Sequence, residues 1–575
     1  MKKIYLSAAA LLACSLLNAQ SAFTWDVTSY KGAFPVTDNT PATDWTSGWA
    51  NWDPENTNYA APTSTLTGDI SSNTSISGTV YLDGFVHVKN NAVLTIAPGT
   101  VIRCKMTDAS LTPGTLIITK GSKIMAQGTA SQPIVFTSIQ SVSNGRNPGD
   151  WGGVIILGNG VINTGGISTN PNVSKVEGFV TSDPLRYYGG SNDADNSGVL
   201  SYVRIEFAGV ALDPLQTNSE INGLTLGGVG SGTKIDHVQV SFSGDDAYEW
   251  FGGTVDAKHL IAYRTTDDDF DTDFGFRGRV QFGVSIKDPD LWDALAGGAS
   301  NGFESDNNGT SPYLALPLTK PVFSNMTFIG AKGDGTVYGA GTLPTGETHE
   351  ASAHIRRNSA LSLLNSLVLG YEKGLRFQNA VTQDNFQAVG TDSMAFFANI
   401  NVTPDIASTY ITESATAFTQ AWYHTYGTAS NIDTVTTISQ IGFVNAFSNL
   451  GTTPDYRLNA SSTVANGASF TNPAFVGGFT GVKETSKLVA NSLVVYPNPA
   501  TQNTTLSFTM IERNNVSVNV YDVLGNVVAV VSTGAAFEKG NNSININTAN
   551  LASGIYYISL DVNGTKETKK LIINQ

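Results

Sequence analysis

His237-Val238-Gln239-Val240-Ser241-Phe242 is followed by Gly244-Asp245-Asp246 and Gly253, and His259-Leu260-Ile261-Ala262-Tyr263-Arg264 by Asp267-Asp268 and Gly275. Each member of the first set lies 22 positions before its counterpart in the second. A short apolar–polar alternation is a strand pattern, and the Gly and Asp behind it form turns. A strand-and-turn unit repeated at a fixed period cannot bury its apolar face alone, so it must stack on its copy. A period of about 22 residues suits three short strands per coil, the plan of a right-handed parallel β-helix. An antiparallel sandwich or a propeller is the alternative, and neither requires the matched offsets.

Outward from this pair the same pattern continues. Phe85–Val88, Val93–Ile96, Thr115–Ile118 and Pro133–Thr137 are short β-rich runs separated by Gly, Asn and Asp. Tyr202–Phe207, Ser324–Ile329 and Leu364–Leu369 repeat it at irregular spacing, which implies insertions on one side of the coils. The expected fold is all-β, with a β-helix over residues 76–480. Residues 21–75 carry Trp25, Trp45, Trp49 and Trp52. They are expected to cap the open end of the helix. The rival reading is an aromatic platform for sugar rings.

The formal net charge is −15 and only 14% of residues are charged. An acidic chain lacks the cations that bind a phosphate backbone, so a nucleic-acid partner is excluded. Of the two cysteines, Cys14 lies in the leader and Cys104 remains, so the mature chain has no internal disulfide. Cys104 shares a strand face with Ile102 and Met106, as a buried thiol would.

Lys2 and Lys3 precede an apolar run, Ile4 to Leu17, and then Asn18-Ala19-Gln20. This reads as a signal peptide over residues 1–20. Leu11-Leu12-Ala13-Cys14 allows a second reading, lipidation at Cys14. No later apolar run of about 18 residues is present, so no integral membrane segment is expected after the leader.

The tail holds Val494-Val495-Tyr496-Pro497-Asn498-Pro499, then Tyr521-Asp522 and Gly525, then Gly554 and Tyr556. Its short alternating strands and close turns indicate a small Ig-like β-sandwich over residues 494–575, after a linker at 481–493. These motifs, in this order, resemble the C-terminal sorting domain of type IX secretion substrates of Bacteroidota. The resemblance implies handling by the type IX machinery and a secreted or cell-surface destination. Asn51-Trp52-Asp53-Pro54, Leu94–Thr100, Gly121–Phe136, Asp150-Trp151-Gly152-Gly153 and Phe251-Gly252-Gly253-Thr254 resemble Bacteroidota surface proteins with pectin-lyase-like β-helices. That resemblance implies the fold more than an activity.

One constellation could carry chemistry. Asp245, Asp246, Glu249, Asp256, Asp267, Asp268, Asp269, Asp271 and Asp273 face only Lys258 and Arg264 as bases in the same window. The 22-residue period sets Asp268 beside Asp246 and Asp271 beside Glu249, on strands ~4.8 Å apart. Like charges at ~4 Å repel by about 1 kcal/mol even in water. A hard cation that takes six to eight oxygens would relieve this, so Asp245, Asp246, Glu249, Asp268, Asp269 and Asp271 are candidate Ca²⁺ ligands. Raised carboxyl pKa values, or pairing with Arg264, Arg277 and Arg279, are the other routes.

Three readings follow: a structural turn stack, a Ca²⁺-dependent site for an extracellular glycan or surface ligand, and acid–base catalysis on a polysaccharide by Asp246, Asp267 and Asp268. The last arrangement is similar to the single Asp and Asp-Asp pair of polygalacturonase-like β-helices, but their Gly-His-Gly and Arg-Ile-Lys motifs have no counterpart here. The leading expectation is a non-enzymatic adhesin or glycan-binding passenger, and the alternative is a lyase or glycoside hydrolase. Carboxylates converging in an open groove lined by Trp250 or Tyr248 would favour the enzyme. His349 and His354 stand five positions apart, not the four that share a helix face, so zinc is not expected. His237 and His259 are expected to stack on adjacent coils. Gly223–Gly232 lacks the Lys of a phosphate loop and reads as turns.

Overall fold

The computed structural model describes residues 23–37, 44–108, 111–164, 172–179, 183–212, 219–293, 299–331, 348–371, 373–387, 397–398, 400–402, 432–434, 441–446, 453–462, 464, 466–471, 473–476, 493–510, 513–522, 526–562 and 565–575. The expected signal peptide with Cys14, most of the linker and Gly525 lie outside these residues. The chain divides into two units, Met1–Gly478 and Phe479–Gln575.

The first unit is a parallel β-helix. One face is a single parallel sheet whose strands follow chain order: Phe85–Val88, Thr115–Ile118, Val154–Leu157, Leu224–Gly227, Tyr248–Phe251, Phe270–Asp273, Phe303–Ser305, Ala351–Ile355 and Lys373–Phe377. We call it the central sheet. The other two faces begin as separate strands, such as Lys123–Gln127 and Ile134–Ser138. From Gly198–Glu206 onward they fuse into one bent strand per coil: its first half pairs with Lys123–Gln127 and its second with Ile134–Ser138. Lys234–Ser241, Asp256–Tyr263, Arg279–Ile286 and Val322–Ile329 stack on it in parallel. The irregularly spaced runs take their places here, since Thr327 pairs with Leu367.

The bend has a local cause. Tyr202, His237, His259, Phe282 and Asn325 take left-handed backbone, with φ between 52° and 64°. Such a conformation costs roughly 1–2 kcal/mol for a residue with a Cβ. Stacking offsets it: Tyr202 and His237 rings lie 4.4 Å apart, His237 and His259 4.2 Å, and His259 and Phe282 5.1 Å. The expected histidine stack is therefore the corner of the helix. Inside, Val238, Val240, Leu260, Tyr248, Trp250, Phe270 and Trp151 fill one continuous core, joined by the fully buried Cys104. Burial pushes the Cys104 thiol up.

The segment expected as a cap divides differently. Ser64–Thr67 is already a coil strand, pairing with Thr79–Asp83. Residues 23–37 and 44–60 run as a strap along the outside of the bent strands. Gln239 accepts from Asn51 N (2.8 Å) and donates to Asn51 O (2.7 Å). Gln281 does the same with Asp26, at 2.8 Å each way. Trp49 is 1% exposed, and the Trp45 ring approaches both corner histidines. These tryptophans cover side chains of the corner, because the outward polar groups of the bent strands give the strap its backbone partners.

The second unit has two antiparallel sheets. Val494–Tyr496, Asn503–Met510 and Gly540–Asn547 form one, and Val527–Phe537, Asn514–Tyr521, Gly554–Val562 and Thr565–Ile573 the other. Leu506, Phe508, Val518, Val520, Ile558, Leu560 and Leu571 form the core of the sandwich. Of the sorting motif, Tyr496 is 76% exposed, ahead of Pro497. Asn498, ahead of Pro499, ties to the last strand through Lys570 O (2.7 Å) and Ile572 N (2.8 Å). Tyr521 pairs with Tyr557, Asp522 accepts from Asn526 N, Gly554 pairs with Ile573, and Tyr556 Oη donates to Ala552 O.

Candidate carboxylate site on the central sheet

Alternation along the strands places the site. In Tyr248–Phe251 the rings of Tyr248 and Trp250 enter the core and are fully buried. Glu249 and Phe251 therefore face outward. Register carries the outward file from coil to coil: Thr225, Glu249, Asp271, Glu304, His354, Arg376. Neighbours in that file lie ~4.8 Å apart along the helix axis. Three acids are followed by two basic side chains, so the file is graded in charge. Gly252 and Gly253 end the strand with φ of 71° and 81°, and a Cβ on Gly253 would lie 2.3 Å from Val229 O.

The turn before each strand supplies the other acids. Asp246 Oδ1 accepts from Asp268 N (2.9 Å), Asp268 Oδ1 from Asn301 N (2.5 Å), and Asn301 Oδ1 from Ala351 N (3.1 Å). Each side chain thus bonds the backbone of the next coil. Asp268 lies beside Asp246, and Asp271 beside Glu249, as the period requires.

Two groups of three carboxylates converge, with one oxygen of each within 4.8 Å of the others: Asp245, Asp246 and Asp267, and Asp246, Glu249 and Asp271. Asp246 belongs to both. Asp245, Asp246, Glu249 and Asp268 are buried, while Asp267 and Asp271 are half-buried. Burial first, and then the neighbouring acids, push the carboxyls of Asp246, Glu249 and Asp271 well up. Asp245, Asp267 and Asp268 are raised for the same reasons.

Other members of the acidic window go elsewhere. Asp269 is fully buried against Lys287 Nζ (3.2 Å), and the Thr265 and Ser285 hydroxyls donate to it, so its charge is already met. Asp256 is held by both ends of Arg279, at 2.9 and 2.6 Å. Arg264 pairs with Asp288 and Glu55, and Arg277 with Asp193. Arg279 meets the window through Asp256.

The structure adds groups that the sequence pattern does not mark. Asn222 Nδ2 donates to Glu249, and Glu177 comes beside Glu249, 3.5 Å from the same Asn222 amide, from an excursion between coils. Glu304 follows Asp271 in the file after 33 residues, because an insertion breaks the 22-residue offset. Arg356 bridges Glu304 and Asp306, with Arg357 also on Asp306. Burial raises the Glu304 carboxyl, but Arg356 and His354 outweigh it and hold it below the usual range. Among the described residues, neither His349 nor His354 joins a group of three metal-binding side chains.

The donor set at Asp246, Glu249 and Asp271 fits a hard cation: all oxygen, predominantly anionic. Asp271 Oδ1 and Asn222 Oδ1 are buried and have no hydrogen-bond partner among the described residues. Buried carboxylates without a counter-charge are costly, so protons or a cation must accompany them.

Comparison with known proteins agrees with this architecture. Residues 494–574 match the secretion system C-terminal sorting domain. An endo-acting ulvan lyase of Formosa agariphila is 39% identical over 88 residues, 15% of this chain and 16% of that protein. The full-length tailspike protein 2 of Escherichia coli O157:H7 bacteriophage CAB120 aligns over 87% of this chain and 64% of its own at 11% identity, with a TM-score of 0.27, too loose to bear on the fold. The sorting domain makes this a secreted or cell-surface protein handled by type IX secretion machinery. Residues 68–440 match the pectate-lyase like beta helix domain, and with its coils running through that span the chain belongs to that family.

Proposed function

We propose that this exported β-helix binds an extracellular glycan or other surface ligand without turning it over, and that its carboxylate cluster holds Ca²⁺. Asp246, Glu249 and Asp271 would supply the anionic oxygens, and Asn222 Oδ1 a neutral one. The observation that carries this reading is the enclosure of the acids. Asp246 and Glu249 are 7% and 6% exposed, and Tyr248 and Trp250 belong to the interior core and so cannot line a groove beside them. An all-oxygen cluster with two of its three acids buried suits a cation that stiffens the coils beneath a binding face.

A lyase is the second reading, and one observation favours it. The outward file continues from the carboxylates to His354 and Arg376, so cation and base sites would lie along one line. Proton abstraction beside a cation-bound carboxylate needs such a pairing. The partial likeness to an ulvan lyase points the same way but covers too little of either chain to carry an activity.

The test is incubation of the full secreted chain with pectic, algal and host glycans in Ca²⁺, alongside binding measurements on the same panel. Binding without new reducing ends or unsaturated products supports the first reading. Products that are lost in Asp246→Asn make the protein an enzyme and refute it.

A further inference from the structure

The two outer faces of the sorting domain differ. Along Asn503–Met510, Leu506, Phe508 and Met510 enter the core, so Thr505, Ser507 and Thr509 face outward opposite Asn545, Ser543 and Asn541. That face is polar, as the solvated face of an antiparallel sheet usually is. The four-stranded sheet departs from this rule at one end. Val520, Ile558 and Leu571 point into the core. Alternation therefore turns Tyr521, Ile555, Tyr557, Lys570 and Ile572 outward. Register joins them across the four strands: Val527 opposes Tyr521, Tyr521 opposes Tyr557, Tyr557 opposes Lys570, and Ile555 opposes Ile572. Opposed side chains have Cβ atoms ~5 Å apart, so the patch is continuous.

Val527, Ile555, Tyr557 and Ile572 are between 36% and 50% exposed. Six of the thirteen large apolar side chains exposed among the described residues lie on this one sheet, so the patch is not a general property of the surface. The sandwich core is filled from the other face and does not need it. A continuous exposed apolar patch on a soluble domain marks an interaction site. Its rim is basic. Lys569 and Lys570 are exposed on the last strand, and Asp522, the acid at that end, is held by Asn526 through N (2.9 Å) and Nδ2 (3.0 Å). All of these residues lie within the segment that matches the sorting domain, residues 494–574.

We propose that this face docks the chain on a protein of the type IX secretion machinery, one whose surface offers an apolar patch edged by carboxylates. That machinery already handles this domain, and a contact with it needs a face that the fold leaves free. Aromatic and branched side chains suit a desolvated protein contact, with Tyr557 at its centre. The paired lysines at its edge favour acidic partners and disfavour basic ones. The polar outer face of the other sheet stays in water. The proposal rests on the sorting role and is independent of the calcium and glycan readings.

The test follows export of the full chain in a bacterium with a type IX machinery and in the same strain without it. The wild type is expected outside the outer membrane in the first strain and retained in the second. Equal export in both overturns the proposal through its route, since the machinery is then not the partner. Ile555→Thr/Tyr557→Thr/Ile572→Thr keeps strand-forming residues and should lower the exported fraction at least about tenfold, the scale of one interface anchor. Lys569→Glu/Lys570→Glu should lower it as well. Thr505→Ala/Ser507→Ala, on the polar face, should leave it unchanged. Hydrogen exchange of the purified chains over Val516–Val520 and Ile558–Val562 checks the sandwich, and wild-type protection assigns a loss of export to the surface. If the triple variant loses that protection, Tyr557→Thr alone, which leaves the core untouched, carries the same expectation. Wild-type export of a folded face variant, or an equal loss in the polar-face variant, overturns the proposal. Unchanged export of the lysine variant overturns the carboxylate edge. A wild-type dimer in sedimentation that the triple variant dissolves, with export unchanged, overturns the proposal in favour of a contact between two copies of this chain.

Discussion

Glu249 and Asp271 are register partners on adjacent strands of the central sheet, both facing outward from the core. Their charges are adjacent by construction, since parallel coils place equivalent positions ~4.8 Å apart. Repulsion across this pair, deepened by Asp246, is an electrostatic cost of the fold. It can be met by protons or by a cation.

If Ca²⁺ meets it, EDTA lowers the melting temperature and added Ca²⁺ restores it. Asp271→Asn should abolish that response. In EDTA the same variant should be more stable than wild type by about 1 kcal/mol, because it removes a like charge at close range. Calorimetric melts of both proteins, with and without Ca²⁺, check this. A wild-type melt indifferent to EDTA rules out the cation.

The same carboxyls predict a pH dependence. Their pKa values are raised in the folded state by burial and by one another. The folded chain therefore holds these protons more tightly than the unfolded chain. Their stabilisation is full below about pH 4, the unfolded value, and is lost as pH rises through the folded values. In EDTA, the stability difference between wild type and Asp246→Asn should thus widen in favour of the variant from pH 5 to 8. A difference that does not change with pH would show that the carboxyls ionise normally.

The strap predicts the opposite sign. Burial lowers the His259 imidazole, Asp236 partly opposes this, and His237 and Lys258 add to the lowering. Both histidines reach one oxygen of Asp236, at 2.8 Å each. The neutral form is thus favoured on folding, and its contribution fades as pH falls below about 6.5. Hydrogen exchange over residues 44–52, which Trp45 and Trp49 anchor on these rings, should quicken on acidification. His259→Gln should flatten that trend.

The Lys287–Asp269 pair gives a prediction about stability alone. Both side chains are fully buried. Lys287→Met leaves Asp269 without its counter-charge and should cost about 3–5 kcal/mol in chemical denaturation. Replacing both residues with apolar ones of similar size should recover much of that loss. A single variant as stable as wild type would mean that Asp269 carries a proton rather than a charge.

The sequence by itself determined the coil, the alternation and the destination. The 22-residue offset makes His237 stack on His259 and Glu249 on Asp271, because a parallel coil repeats its own positions. The period-2 pattern of Tyr248, Glu249, Trp250 and Phe251 decides which side chains enter the core. The Tyr-Pro-Asn-Pro and later motifs mark the sorting domain locally, without any tertiary contact. Tertiary structure alone decided which further acids join that pair and which leave it. Glu304 joins the file only once a 33-residue excursion closes, Glu177 arrives on another excursion, and Asp269 leaves the cluster for Lys287. The tryptophans of residues 23–60 likewise became a strap, because the strap's partners, Gln239, Gln281 and the corner histidines, lie some two hundred residues away. Periodicity is a property of neighbouring coils, whereas these contacts depend on the length and path of insertions, which no local pattern encodes.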